Sequence, residues 1–262
     1  MRRMRHIKAR EFQGCDIAYD FSNPASLYDA TSGGSLVAAD GAIARANDLS
    51  GGSGHMTQGT SENRPLRKVA ALNGRDVARF DGSNDYLTAG DVGDMLDKPF
   101  EAFAVVYRTG SAAVQGFFGK SRAAGTAGRL ALLRNTDDAC IGDTSGTATA
   151  TEVNASVATV SVPQFIALTH NRSTSTNGAQ LTLRRNGNQV ANGTAYTDTA
   201  TSRDTSDITL IGAYQNSTGN GVLASSYFAG DFGECAKYSV FFGPAQRLRL
   251  ELSRCRKWGI KS

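Results

Sequence analysis

LNGRDVARFDGSNDYLTAG, residues 72–90, reads as a strand, a turn and a second strand. DVARF (76–80) and YLTAG (86–90) suit a pleated surface, and Asp81-Gly82-Ser83-Asn84-Asp85 separates them. Within that turn Asp81, Asn84 and Asp85 carry two readings. Short carboxylate and amide side chains bond nearby backbone N–H groups and tolerate left-handed backbone, as a tight turn requires. The same oxygens suit a calcium ion held at a loop rim. The stretch decides for antiparallel β structure, with Phe80 and Tyr86-Leu87 expected in the packing, and leaves the carboxylates' role open.

The same grammar recurs along the chain. Runs with strand character are FEAFAVVYR (100–108), VQGFFGK (114–120), GRLALLR (128–134), ATVSVPQFIALTHNR (158–172), QLTLRRNGNQVANG (180–193), DITLIGAY (207–214) and SYFAGDFGECAKYSVFF (226–242). Asn186-Gly187 between alternating segments is a strong hairpin signal, because a type I′ turn needs positive φ at both central residues. In FIALTH, Ile166, Leu168 and His170 fall on one face and Phe165, Ala167 and Thr169 on the other. Residues 135–156 and 215–225, rich in Thr, Gly, Asn and Ser, read as rim loops. One segment has helical character, PAQRLRLELSRCRKWG (244–259). Pro244 suits its first turn, Gly259 its C-cap, and Leu248, Leu252 and Cys255 form an apolar stripe with Leu250 off it. Trp258, the sole tryptophan, is its expected anchor. Many short strands, one terminal helix and no βαβ alternation predict an all-β sandwich of two antiparallel sheets.

Composition sharpens the reading. The 29 glycines, 5 prolines and 40% hydrophobic content suit a turn-rich β domain. Net charge is +4, but Arg2, Arg3, Arg5, Lys8 and Arg10 stand in the first ten residues, so the remainder lies near −1. That speaks against a nucleic-acid-binding body and predicts a basic arm (1–15) ahead of one domain (16–262). No apolar run of secretory-signal type follows the arm, and no stretch has the length of a membrane span. Cys15, Cys140, Cys235 and Cys255 show no CxxC pairing and are expected as free, buried thiols.

Three separated blocks carry a family resemblance. Ser26-Leu27-Tyr28-Asp29, Ala39-Asp40-Gly41, Asp48-Leu49-Ser50-Gly51, His55-Met56-Thr57-Gln58 and Arg64-Pro65 make up the first, LNGRDVARFDGSNDYL the second, and the ending FAGDFGECAKYSVFFGPAQRLRLELSRCRKWGI the third. In this order they resemble phage and bacterial members of the concanavalin A-like lectin/laminin G-like superfamily. The resemblance implies a jelly-roll sandwich with a C-terminal helix, and it retains the acidic residue of the last strand as Glu234. It also implies a non-enzymatic virion structural protein on a phage capsid or tail, assembled in the host cytoplasm. The arm would dock such a multicopy or homo-oligomeric protein to other virion proteins, leaving a face for host-surface glycans. The alternative is a bacterial carbohydrate-binding or glycoside-hydrolase-related protein.

Chemistry is sparse. Glycoside hydrolysis needs two carboxylates at set separation, and the six glutamates (11, 62, 101, 152, 234 and 251) offer no Glu-x-Asp-x-x-Glu strand. There is no GxSxG elbow, and His6, His55 and His170 are scattered. His55 reads as a structural hydrogen-bonding residue. No zinc spacing occurs, and the Gly219-Asn220-Gly221 stretch lacks a strand–loop–helix setting. No catalytic residue is assigned and no cofactor required, with calcium at Asp81, Asn84 and Asp85 as a candidate. Candidate glycan contacts are Tyr196, Tyr214, Asn216, Asn220 and Tyr227, tyrosines flanked by polar loops.

Overall fold

The protein is described by a computed structural model, over residues 13–93, 99–110, 114–120, 132–136, 139–143, 152–155, 159–171, 181–192, 207–216 and 221–262. Its strands are β1 (Cys15–Asp20), β2 (Leu27–Tyr28), β3 (Arg45–Ala46), β4 (Met56–Thr57), β5 (Leu66–Leu72), β6 (Arg75–Asp81), β7 (Leu87–Gly90), β8 (Phe100–Arg108) and β9 (Val114–Lys120). They continue as β10 (Leu132–Thr136), β11 (Ala139–Asp143), β12 (Glu152–Ala155), β13 (Pro163–His170), β14 (Leu181–Arg185), β15 (Asn188–Asn192), β16 (Thr209–Ile211) and β17 (Ala229–Tyr238). Helix α1 spans Pro244–Trp258. One sheet runs β15-β14-β13-β8-β17-β6-β5, the other β12-β11-β10-β9-β16-β7-β4-β3-β2, and the paired strands are antiparallel. This is the two-sheet antiparallel sandwich that the strand pattern predicts, and the jelly-roll architecture that the resemblance implies.

β17 organises the first sheet. One edge pairs with β8; the other is divided, with Ala229–Phe232 against β6 and Glu234–Tyr238 against β1. A register irregularity between Phe232 and Glu234 marks the seam. Because β1 enters the sheet at Cys15, the last residue assigned to the arm already belongs to the domain.

Both faces of this sheet are covered at its centre, which explains near-continuous apolar runs in place of a clean alternation. Phe100, Ala102, Ala104, Val106, Ile166, Leu168, Phe80 and Phe232 face the other sheet, joined by Phe117, Ile211, Leu87 and Met56. Phe103, Val105, Phe165, Ala167, Val77, Ala236 and Tyr238 face outward, into a second layer closed by Leu250, Cys255, Trp258 and Ile260. The alternation read from FIALTH therefore holds. Asn186 (φ 51°) and Gly187 (φ 88°) make the predicted turn between β14 and β15.

Two expectations need correction. Residues 135–156 are not all rim loop, since β11 and β12 extend the second sheet there. Thr- and Gly-rich composition hid two short strands, β12 at the sheet's edge and β11 beside it. Of the strand expected at 128–134, residues 132–134 stand in β10, which runs on to Thr136, and 128–131 lie outside the described residues.

The buried face of α1 also differs. Leu248 is exposed, whereas Leu250, Glu251, Arg254, Cys255, Lys257 and Trp258 are buried. Three of these six are charged, and each finds a partner on the sheet or in the loops. Arg184 Nε donates to Glu251 Oε1 at 2.5 Å. Lys257 Nζ reaches Asp20 Oδ2 at 2.7 Å and Glu234 Oε2 at 3.0 Å. Trp258 Nε1 donates to Glu234 Oε1 at 2.7 Å, and Arg254 lies 3.7 Å from the same oxygen. Nearer the helix start, Arg247 Nε donates to Glu101 Oε1 at 2.9 Å. The indole lies flat on Gly233, where a Cβ would come within 2.7 Å of the ring. Gly259, in left-handed conformation, ends the helix, and Ile260 N–H turns back to Cys255 O at 2.8 Å.

Candidate functional site

The turn that opened the sequence reading lies at one rim of the sandwich, and its hydrogen bonds explain its composition. Asp81 Oδ1 accepts from the backbone N–H of Ser83 (2.8 Å), Asn84 (3.2 Å) and Asp85 (3.4 Å). Asp85 Oδ2 accepts in return from Asp81 N–H at 3.0 Å. Each carboxylate thus closes the loop that carries the other, as short acidic side chains do in turns. Asp81 faces solvent, but Asp85 is only 5% exposed. Burial, and next the charge of Asp81, push the Asp85 carboxyl up to about 6.

Beside the turn stand two half-buried tyrosines. The rings of Tyr86 and Tyr227 lie 6.5 Å apart between centroids and 31° from parallel. The backbone around Tyr86 is pinned: its N–H donates to Asn63 O at 3.1 Å and its carbonyl accepts from Gln58 Nε2 at 3.2 Å. On the other side, the Phe228 ring is fully buried in the intersheet layer, 5.4 Å from Phe117 and 5.9 Å from Phe80, and fixes the chain that presents Tyr227. The Tyr227 hydroxyl is raised by burial, by Tyr86 and by the charge of Asp81, which places all three groups in one another's field.

The two candidate sets from the sequence, one for calcium and one for glycan, therefore partly converge. Asp81, Asn84, Asp85 and Tyr227 share one rim with Tyr86, a residue expected in the packing. The signal for Tyr86 was present: Leu87 is buried in the intersheet layer, so strand alternation sends its neighbour outward. Tyr214 does not join them. It is 2% exposed, its N–H donating to Ser226 Oγ at 2.9 Å and its carbonyl accepting from Leu223 N–H at 2.7 Å. A ring so enclosed offers no face to a ligand. Asn216 is half-buried, its N–H held by Gly221 O at 2.9 Å. Tyr196, Asn220 and the arm cations Arg2, Arg3, Arg5, Lys8 and Arg10 lie outside the described residues.

Elsewhere the side chains with chemical potential are engaged in structure. His55 Nδ1 accepts from Asp48 N–H at 3.1 Å, and Asp48 Oδ1 accepts from Ala18 and Ser50 at 3.0 and 2.9 Å. His55 is thus a loop staple, the structural role expected of it. Among the described residues no three His, Cys, Asp or Glu side chains gather as a metal-holding group, and no helix is long and apolar enough to cross a membrane. Cys15, Cys235 and Cys255 are free thiols, raised above their ordinary value by burial; the side chain of Cys140 lies outside the described residues.

No family model matches this sequence, and no curated protein does. Solved structures do share its fold. One is a GH54 α-L-arabinofuranosidase soaked with a cyclic sulfate inhibitor, at 13% identity and TM-score 0.58, over 91% of this chain and 62% of that one. Another is domain 4 of AbnA, a GH43 extracellular arabinanase from Geobacillus stearothermophilus, in complex with arabinotriose. It matches at 14% identity and TM-score 0.54, over 91% of this chain and 100% of that domain. Trypanosoma rangeli sialidase in complex with sialic acid matches at 12% identity and TM-score 0.54, over 96% of this chain but 34% of that enzyme. The chain thus spans about a third of the sialidase and under two thirds of the arabinofuranosidase. At such identities the likeness shows the β-sandwich fold and nothing finer. None of these likenesses links the chain to a phage.

Proposed function

We propose that this protein is a non-catalytic carbohydrate-binding domain whose ligand face is the rim built from Tyr86, Tyr227 and the Asp81–Asp85 turn. The observation that carries the reading is the convergence of two partly exposed aromatic rings with polar groups not spent internally. Asp81 Oδ2, the Asn84 amide and the hydroxyls of Tyr86 and Tyr227 make no hydrogen bond within the described residues. Ring faces suit the C–H surface of a sugar, and outward donors and acceptors suit its hydroxyls. The arabinotriose-bound arabinanase domain, matched along its whole length, is consistent with this use of the fold.

Non-catalysis is supported by the occupation of the buried glutamates. Glu101, Glu234 and Glu251 each hold a cation, and Asp81 and Asp85 are tied through one oxygen apiece to backbone N–H groups. Calcium is not part of the reading. Virion display, the placement first expected, rests on the likeness to phage members and on the arm's charge; nothing in the fold favours it over a bacterial setting.

The test is a screen on immobilised arabinan, xylan, cellulose and sialylated glycans, comparing the wild type with Tyr227→Ala. The expected outcome is retention on at least one neutral polysaccharide and a loss of about ten-fold in affinity on substitution. A wild type retained by none of them, or a variant retained as well as the wild type, overturns the proposal.

A further inference from the structure

The rim does not end at Asp81. Strand alternation places Arg79 two residues back on the same face of β6, and the register sets Leu66, Arg79, Asp231, Tyr107 and Pro163 side by side across β5, β6, β17, β8 and β13. Arg79 Nε and Nη2 form a fork with the two Asp231 oxygens at 2.6 and 2.8 Å. Asp231 is nearly buried, whereas the Arg79 side chain is 46% exposed, so the guanidinium is held flat and still faces solvent. Tyr107 is half-buried at the margin of the apolar layer under α1, close enough for its charge state to be felt by Arg79. The next row, Val77, Val105 and Phe165, is covered by the helix layer. The outer face of this sheet is thus half roofed by α1 and half open, and the open half is continuous with the rim site.

Resting on the carbohydrate-binding reading, we propose that this open half is a track for an extended, linear, uncharged glycan. It runs from the Tyr86–Tyr227 pair past Asp81 and over the Arg79–Asp231 fork to Tyr107. Geometry sets its length. Rows two residues apart along a strand are separated by about 7 Å, and the two steps from β6 to β8 add about 10 Å, so the aromatic positions lie farther apart than one sugar ring spans. The chemistry sets the ligand class. A neutralised ion pair whose exposed member is Arg79 offers planar donors without net charge, which suits sugar hydroxyls, while the exposed Asp81 carboxylate supplies acceptors and opposes an acidic chain. A terminal monosaccharide would engage the rim alone; a chain engages both ends.

The experiment titrates two- to six-unit oligosaccharide ladders of arabinan, xylan and cellulose into the wild type, Tyr107→Ala and Tyr227→Ala by calorimetry. Melting curves confirm that each variant is folded. The dissociation constant is expected to fall with each added unit until the track is filled. Tyr107→Ala is expected to weaken the longest oligomer about ten-fold and leave the two-unit oligomer unchanged, whereas Tyr227→Ala weakens both. Tyr107→Phe, which keeps the ring, retains most of the gain with length. Equal affinity from two to six units, or Tyr107→Ala weakening short and long oligomers alike, overturns the track while leaving rim binding intact. No binding by any ladder overturns the carbohydrate-binding reading itself.

Discussion

Two groups of carboxylates, one packed under α1 and one in the turn at the rim, live under opposite rules. Under α1, Glu101, Glu234 and Glu251 are buried and answered by Arg247, Lys257, Arg254, Trp258 and Arg184. At the rim, Asp81 and Asp85 meet only backbone N–H groups, and one oxygen of Asp81 is turned to water. In the first region a carboxylate is consumed by the fold. In the second it shapes a loop and keeps capacity for a ligand. Burying an ion pair is a weak source of net stability, but removing one partner from it is costly, so substitutions should separate the two groups clearly.

The largest effect is expected at Glu234. Burial alone would push its carboxyl up, yet Arg254, Lys257 and the Trp258 N–H outweigh that and hold it below the ordinary carboxylate value. Glu234→Ala removes the carboxylate that two buried cations and an indole N–H share, leaving Lys257 to Asp20 alone on the acidic side, and should cost about 3–5 kcal/mol in urea unfolding. A cost below about 1 kcal/mol would erase the contrast between the two groups.

Next comes pH. Asp85 stands at about 6 against an ordinary 3.8, and Glu101, raised by burial against the pull of Arg247, at about 7 against 4.5. A carboxyl raised on folding binds its proton more tightly in the native state. Its contribution is therefore full below pH 4 and lost as pH rises through 6 to 7. Glu234 has the opposite sign, its contribution being lost as pH falls through the carboxylate range. The urea midpoint should accordingly decline between pH 4 and 7, and Asp85→Asn should flatten the lower part of that decline. An unchanged slope in the variant would assign the titration elsewhere.

The smallest effect is expected at Asp81. Asp81→Asn keeps the oxygen that caps the turn and should change stability by less than about 0.5 kcal/mol, whereas Asp81→Ala, which removes the cap, should cost about 1 kcal/mol. If the two variants melt alike, the capping role is wrong.

What could be read from the sequence follows the range of the interactions. The strands β6, β8, β9 and β13, the Asn186-Gly187 turn and the limits of α1 depend on neighbours within a few residues, and they stand where the sequence puts them. The face of α1 does not. Leu248 and Leu252 suggest one stripe, while the buried stripe contains Glu251, Arg254 and Lys257, whose partners Arg184, Glu234 and Asp20 come from distant segments. Hydropathy cannot register a charge neutralised from afar. The rim was half legible for the same reason. The Asp81–Asp85 turn is local, but the meeting of Tyr86 with Tyr227 joins residues 141 positions apart.

The divided edge of β17 bears on how the chain reaches this structure. Until that strand arrives, β8 on one side and β1 with β6 on the other have no common partner, so the sheet exists as unconnected pieces. Its central pairings join residues more than a hundred positions apart, which places the protein among slow, high-contact-order folders, with times of milliseconds to seconds. During synthesis the exposed edges of β8 and β6 must wait, unpaired, for more than a hundred further residues to emerge. That interval is when self-association is the greatest hazard.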